Sequence, residues 1–238
     1  MHPKIYKFLT SKKYLNLIKI YHQIFSESFR KDIDISNCYD SELHRLDIIK
    51  YIIKKYNIKS YLEIGCDQNQ VFSNVDVNRK VGVDPVKGGN VRTTSDIFFK
   101  RNKEKFDLIF IDGLHRYHQV KKDIINSLKF LNDNGIILIH DCMPRNFYYQ
   151  AIPRCQLNWN GDTWKAFLEF RSMEHLDAYC CYADEGIGVI LKRKNKNRLE
   201  INYKDFSKID FNEFIDNYKI YLNLVEYDDL IKIVQNYE

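Results

Sequence analysis

The amino-acid sequence predicts an α/β protein: a Rossmann-like, doubly wound sheet of seven strands, mostly parallel, that ends in an antiparallel hairpin and carries helical additions before and after it. Three observations support this. Short apolar runs recur at residues 61–65, 80–84, 106–112, 135–141, 179–182 and 187–192, and the early ones are continuously apolar, as expected of parallel strands covered on both faces. Helical stretches alternate with them, notably residues 117–131, where Val120, Ile124, Leu128 and Leu131 share one face. The last two runs are joined only by residues 183–186, too few for a crossover helix, so they form a hairpin.

In chain order, residues 1–40 show loose helical periodicity through Ile5, Phe8, Leu9, Leu15, Ile18, Tyr21 and Phe25. They predict a helical extension that covers the core or pairs with a second copy of the chain. The main domain spans residues 41–194. It opens with an amphipathic helix carrying Leu43, Leu46, Ile49, Ile52 and Ile53, with Ser41 as its N-cap and Asn57 near its stop. A short piece around Val91 is the candidate for a seventh strand. Residues 195–238 turn polar and then helical, and Asp210 and Glu213 are spaced as a cap pair before Phe214, Tyr218 and Leu222.

At 238 residues, 45% hydrophobic and 29% charged, the chain has the composition of one soluble globular core. Lysines interrupt the apolar residues near the N-terminus, which excludes a signal-peptide core or a membrane span and predicts a cytoplasmic protein. Cys38, Cys66, Cys142, Cys155, Cys180 and Cys181 show no C-x-x-C spacing and read as reduced, mostly buried thiols. The net charge is +5, with Lys192, Arg193, Lys194, Lys196 and Arg198 clustered at a strand end. Without interleaved stacking aromatics that run reads as a solvated loop rather than a nucleic-acid surface, and a modest basic surface suits a phosphorylated small molecule.

The chemistry-bearing motifs sit where the apolar runs stop. The first run ends at Gly65, but Asp67 and Gln70 stand where a dinucleotide fold needs glycines to approach a pyrophosphate. S-adenosylmethionine has no pyrophosphate and tolerates them. Asp84 ends the second run 19 residues beyond Gly65. An ionised carboxylate there can accept from both hydroxyls of a ribose. Ser95 and Asp96 open a helix, and Asp96 is placed to accept from an adenine amino group or to serve as a plain cap.

Two later runs end in Asp112 and in His140-Asp141. Neighbouring strands lie about 4.8 Å apart, so Asp112 and Asp141 can converge on one divalent cation, flanked by His115 and His140. Methyl transfer to an alcohol needs the proton removed or its pKa lowered, and carboxylates with imidazoles supply both. The loop after the fourth run is rich in aromatic and basic residues. Arg145, Tyr149 and Trp164 are its candidates for acceptor contact, with Tyr149 and Trp164 as stacking surfaces.

The segment FDLIFIDGLHRYHQVKKDI followed by GIILIHDCMP, with YLEIG and VGVDP upstream, resembles class I S-adenosylmethionine-dependent methyltransferases, in particular the branch of metal-dependent sugar O-methyltransferases of the macrolide-tailoring type. The resemblance covers about residues 43–193. It implies that Glu63 and Gly65 face the methionine portion of the cofactor and Asp84 its ribose, with Ser95, Asp96, Asp112, Gly113 and His115 completing the cofactor set. It also implies that Tyr117 joins the acceptor contacts, that Mg2+ lies near the methyl group on Asp112 and Asp141, and that the acceptor is a sugar or nucleotide-linked sugar. His140 stands where metal-dependent relatives carry an acid, which makes it an alternative base. A phenolic acceptor, a non-catalytic Rossmann-like binding protein and a nicotinamide-dependent oxidoreductase are the rival expectations.

Overall fold

The computed structural model describes residue 8, residues 10–26 and residues 43–237; Ile5, Leu9, Cys38 and Ser41 lie outside them. Helix α1 (Lys12–Phe25) is capped by Ser11, whose side chain accepts from Tyr14 N at 3.3 Å. Helix α2 (Arg45–Lys55) starts after His44, so the N-cap position is His44 and not Ser41. Asp47 accepts from His44 N at 3.0 Å and ties off that first turn.

The sheet then builds from β1 (Ser60–Ile64), β2 (Arg79–Val83), β3 (Phe106–Ile111), β4 (Leu131–Ile139), β5 (Asp177–Cys181), β6 (Ile187–Leu191) and β7 (Leu224–Val225). Between and after the strands come α3 (Ser95–Arg101), α4 (Tyr117–Lys129), α5 (Phe147–Gln150), α6 (Thr163–Arg171), α7 (Phe211–Leu222) and α8 (Tyr227–Gln235).

The strand order is β2-β1-β3-β4-β6-β5-β7. All pairings are parallel except the two made by β6, with β4 and with β5. The expected hairpin is β5–β6, and the expected Rossmann-like α/β plan is the one observed. The seventh strand is β7, supplied by the segment after residue 194, whereas Val91 makes a single bridge to Val83. Helix α4 stops at Lys129, and Leu131 already belongs to β4. The register against β3 shifts between Leu131 and Ile136, so β4 begins earlier than its apolar run.

Side chains of successive strand residues point to opposite faces of the sheet, and each face has its own core. Leu62, Ile109, Ile111, Ile137 and Ile139 pack with Val120, Ile124, Phe167 and Phe214 from α4, α6 and α7. Tyr61, Leu108, Phe110, Ile136 and Leu138 pack with Ile48, Ile49 and Ile52 of α2 and Leu230 and Val234 of α8. The sheet is thus doubly wound, and its polar residues collect at the strand ends. Asp210 caps α7 by accepting from Asn212 N at 2.8 Å. Glu213 does not close the cap pair, because its carboxylate is taken by Tyr203 and Tyr221.

Two residues expected at the acceptor belong to the core. Trp164 is fully buried, 4.3 Å from the Phe214 ring and 6.1 Å from Phe211. It cannot stack on a ligand. Tyr117 is 4% exposed and donates to Glu169 Oε2 at 2.7 Å, joining α4 to α6. Among the described residues Cys66, Cys142, Cys155, Cys180 and Cys181 form no disulfide and are buried, as expected. Among the described residues no helix is long and apolar enough to cross a membrane.

Removing the Trp164 indole leaves a large void between α6 and α7. Trp164→Ala is expected to lower unfolding free energy by about 3–5 kcal/mol, read as a fall in the urea midpoint at unchanged slope.

Candidate functional site

The rim is set by how closely two strand ends approach. Gly65 follows β1 with φ +88°, and a Cβ there would lie 2.1 Å from the Asp112 carbonyl oxygen and 2.6 Å from Gly113 Cα. Only glycine fits both the torsion and the space. Asp112 N donates to Ile64 O at 2.8 Å and His140 N to Ile111 O at 3.0 Å, so each strand end is tied to the one before it.

Glu63, Asp84 and Asp112 converge here, as expected. The buried Cys66 thiol shows it: its pKa is pushed up by burial and then by these same three carboxylates. Glu63 is 2% exposed and accepts from Tyr61 Oη at 2.6 Å. Burial raises its pKa to about 7. Asp84 accepts at Oδ2 from Cys66 N and Asp67 N, both 3.1 Å, and at Oδ1 from Val86 N (2.7 Å) and Lys87 N (2.9 Å). Arg92 lies 3.8 Å from the same Oδ1. One carboxylate therefore joins the loop after β1 to the loop after β2.

Ser95 and Asp96 form the first turn of α3, but the cap itself is Thr94, whose hydroxyl accepts from Ile97 N at 3.4 Å. Gln119 Nε2 stands 3.2 Å from both Ser95 Oγ and Asp96 Oδ1 and 3.1 Å from Asp123 Oδ1. It links α3 to α4. Gly113 lies in the loop after β3, where a Cβ would only touch Ile64.

The expected acids and imidazoles meet in one cluster. His115 Nδ1 is 2.7 Å from Asp141 Oδ2, and its Nε2 is 3.4 Å from Asp112 Oδ1. His140 Nδ1 is 3.3 Å from both Asp112 Oδ1 and Asp141 Oδ1. One ligand atom each from Asp112, His115 and Asp141 lies within 4.8 Å of the others, a spacing a divalent cation can bridge. Asp141 reaches the cluster because it leaves β4 at φ +63°, a left-handed torsion that Asp tolerates better than most residues.

The charges explain the shifts. Burial disfavours a cationic His115, but Asp141 and Asp112 outweigh it and raise its pKa to about 10. Burial likewise opposes charge on His140, and the same two carboxylates hold its pKa well above the usual range. Asp112 and Asp141 are held well below theirs: burial opposes this, and the imidazoles outweigh burial. The two histidines differ in access. His140 is 6% exposed, whereas the His115 side chain is 23% exposed.

Four members of the cluster have no clear sequence signal of their own. Arg45, the first residue of α2, reaches both ring nitrogens of His140 and lies 3.6 Å from Asp184 Oδ2. Asp184 and Glu185 come from the β5–β6 turn with φ +42° and +62°. Asn160 Nδ2 donates to Asp141 Oδ1 at 2.6 Å and to Glu185 Oε2 at 2.8 Å. Burial, then Asp141, raises Glu185 to about 8. A turn acid looks solvated in sequence, and only the D-E-G torsions aim this pair inward.

Above the cluster, Trp159 stacks on His115 at 5.9 Å and 15°, and the Arg154 guanidinium lies over the indole at 5.6 Å. Tyr149 is half-buried, its carbonyl accepting from Asn160 N and Gly161 N at 2.9 and 3.1 Å. Arg145 is exposed on the same loop.

Residues 62–142 match a family model described as a methyltransferase domain, a span running from β1 past the end of β4. No curated protein matches the chain. Among solved structures it is similar to a Podospora anserina methyltransferase bound to S-adenosylhomocysteine, with 18% identity, 63% of this chain and 78% of that one covered, and a TM-score of 0.47. It is also similar to a Bacillus cereus O-methyltransferase in complex with S-adenosylhomocysteine, with 12% identity, 76% and 100% covered, and a TM-score of 0.44. A third is a methyltransferase of the mycinamycin biosynthetic pathway in complex with Mg, S-adenosylhomocysteine and mycinamycin VI, with 12% identity, 66% and 51% covered, and a TM-score of 0.44. The span 62–142 of the chain is similar to a methyltransferase domain.

The raised His115 pKa has a stability consequence. A folded pKa of about 10 against an ordinary 6.5 means that the ion pairing contributes fully below pH 6.5 and is lost as pH rises through 10. The stability gap between wild type and His115→Gln is therefore expected to narrow between pH 6.5 and 10 in urea titrations. A constant gap across that range would show that His115 is not held cationic.

Proposed function

We propose that the chain is an S-adenosylmethionine-dependent O-methyltransferase whose acceptor is a sugar hydroxyl, carried on a nucleotide-linked or other small glycoside. The observation that supports it most is the Asp112–His115–Asp141 cluster at the strand ends of a methyltransferase domain. In open α/β sheets ligands bind at that edge, outside the strands' carboxyl ends.

On this reading the cofactor lies across the loops after β1, β2 and β3. Gly65 lets the loop after β1 close on Asp112, Asp84 receives the ribose, and Asp96, held by Gln119, faces the adenine. A carboxylate has about four acceptor directions, and those of Asp84 serve four backbone N–H groups. A ribose therefore displaces a loop contact there, and the exposed Val86 N–H is the one to give way.

The methyl group passes in line from sulfonium sulfur to acceptor oxygen: the S–C bond breaks, the O–C bond forms, and the hydroxyl loses its proton. Asp112, His115 and Asp141 fit a divalent cation, with Asp112 and Asp141 supplying the oxygens that Mg2+ prefers. Such a cation, when bound, would act as a Lewis acid that lowers the pKa of a hydroxyl beside it. His115 is the histidine an acceptor can reach. His140, buried beneath Arg45, orients Asp112 and Asp141 from behind. Asn160 fixes Asp141 from the other side. Held cationic by its two carboxylates, His115 takes up a proton only after it has lost its own. Arg145 and Tyr149 remain the acceptor contacts on this reading.

Calorimetry with S-adenosylmethionine tests the reading first. Micromolar binding is expected, and Asp84→Ala should weaken it at least about ten-fold, the loss of charge-assisted hydrogen bonds. Trp164→Ala, which perturbs stability alone, should leave affinity unchanged. A protein that binds no S-adenosylmethionine is a scaffold, and the enzyme reading fails.

Catalysis is checked by S-adenosylhomocysteine release on a panel of nucleotide-linked sugars and phenols. Asp112→Asn and His115→Gln are each expected to lower turnover by about 100-fold or more while sparing cofactor affinity. Chelation should abolish turnover, and full activity after chelation would discard the cation. Turnover on phenols alone would replace the sugar acceptor.

A further inference from the structure

We infer that the outward face of α1 is a docking surface for an anionic lipid bilayer. Leu15 and His22 of this helix are buried against the domain, but Leu17, Ile20, Tyr21, Ile24 and Phe25 are each half-exposed or more. Their spacing of three and four residues places them in one stripe on the opposite side. A contiguous stripe of five large apolar side chains on a surface helix marks an interaction site rather than scattered exposure.

The helix is fastened to the domain, so this face does not turn inward. His22 Nε2 pairs with Pro153 O at 2.8 Å, and its ring meets Phe147 edge-on at 5.3 Å. Gln23 Nε2 donates to Tyr148 Oη at 3.3 Å, and the Lys19 ammonium lies 4.5 Å above the Tyr148 ring.

Charge selects the occupant. Lys12 and Lys13, both exposed, open the helix, and Lys12–Phe25 contains no Asp or Glu. A second copy docked through the same stripe would set one lysine-bearing helix against another, and the helix carries no acid of its own to offset them. Anionic headgroups neutralise the lysines while the acyl boundary takes up the apolar stripe, the arrangement of an interfacial amphipathic helix. Among the described residues no helix can span a bilayer, so the contact is peripheral.

The test is sedimentation of the purified full chain with vesicles of phosphatidylcholine alone or mixed equally with phosphatidylglycerol. Binding is expected only to the mixed vesicles and should weaken in high salt. Leu17→Asn with Ile24→Asn, and separately Lys12→Glu with Lys13→Glu, should each lower partitioning about ten-fold or more, with circular dichroism and S-adenosylmethionine affinity unchanged. The proposal is overturned if the wild-type chain ignores the mixed vesicles or if both variants partition as wild type does. A wild-type dimer in light scattering that the Leu17/Ile24 variant splits would overturn it too, since a second copy then covers the stripe.

Discussion

The contact between the Gly65 backbone and the Asp112 carbonyl governs the rest of the site. A side chain at residue 65 would overlap that carbonyl, so the loops after β1 and β3 can touch only because glycine stands there. Their closeness brings Glu63, Asp84 and Asp112 around Cys66 and makes the rim continuous from the loop after β1 to the loop after β3. The hydrophobic core holds the strands parallel, but this approach is what makes their ends a site.

Continuity of the rim concentrates negative charge. Asp112, Asp141, Asp184 and Glu185 all bear on Arg45, and burial alone would make so many acids untenable. The fold offsets them from three directions: His115 from the loop after β3, His140 from the end of β4, and Arg45 from the start of α2. Glu185, whose nearest donor is the neutral Asn160, is the member whose pKa rises. The cluster therefore favours positive charge, and the two imidazoles and the Arg45 guanidinium supply it.

The segment around the site is braced from outside. Trp159 stacks on His115 and carries the Arg154 guanidinium over its ring, contacts that hold the loop to the cluster. Gly161 packs directly against the His115 carbonyl, where no Cβ could fit. Helix α1 presses His22 onto the same loop at Pro153. A surface helix and the cluster of acids and imidazoles are thereby mechanically joined.

The sequence by itself determined the α/β plan, the parallel strands with their closing hairpin, and the acids that end β2, β3 and β4, because continuous apolar runs and their terminal polar residues are local patterns. It also named His115 and His140 correctly as neighbours of Asp112 and Asp141, since strand spacing follows from the sheet. Tertiary structure alone decided that Trp164 and Tyr117 are core, because an aromatic residue on a helix carries no mark of which side the domain covers. It likewise decided that Arg45, Asp184 and Glu185 join the cluster, and that β7 comes from the far end of the chain. These depend on left-handed turn torsions and on contacts between residues distant in sequence, such as Arg45 with Asp184, which no local pattern encodes.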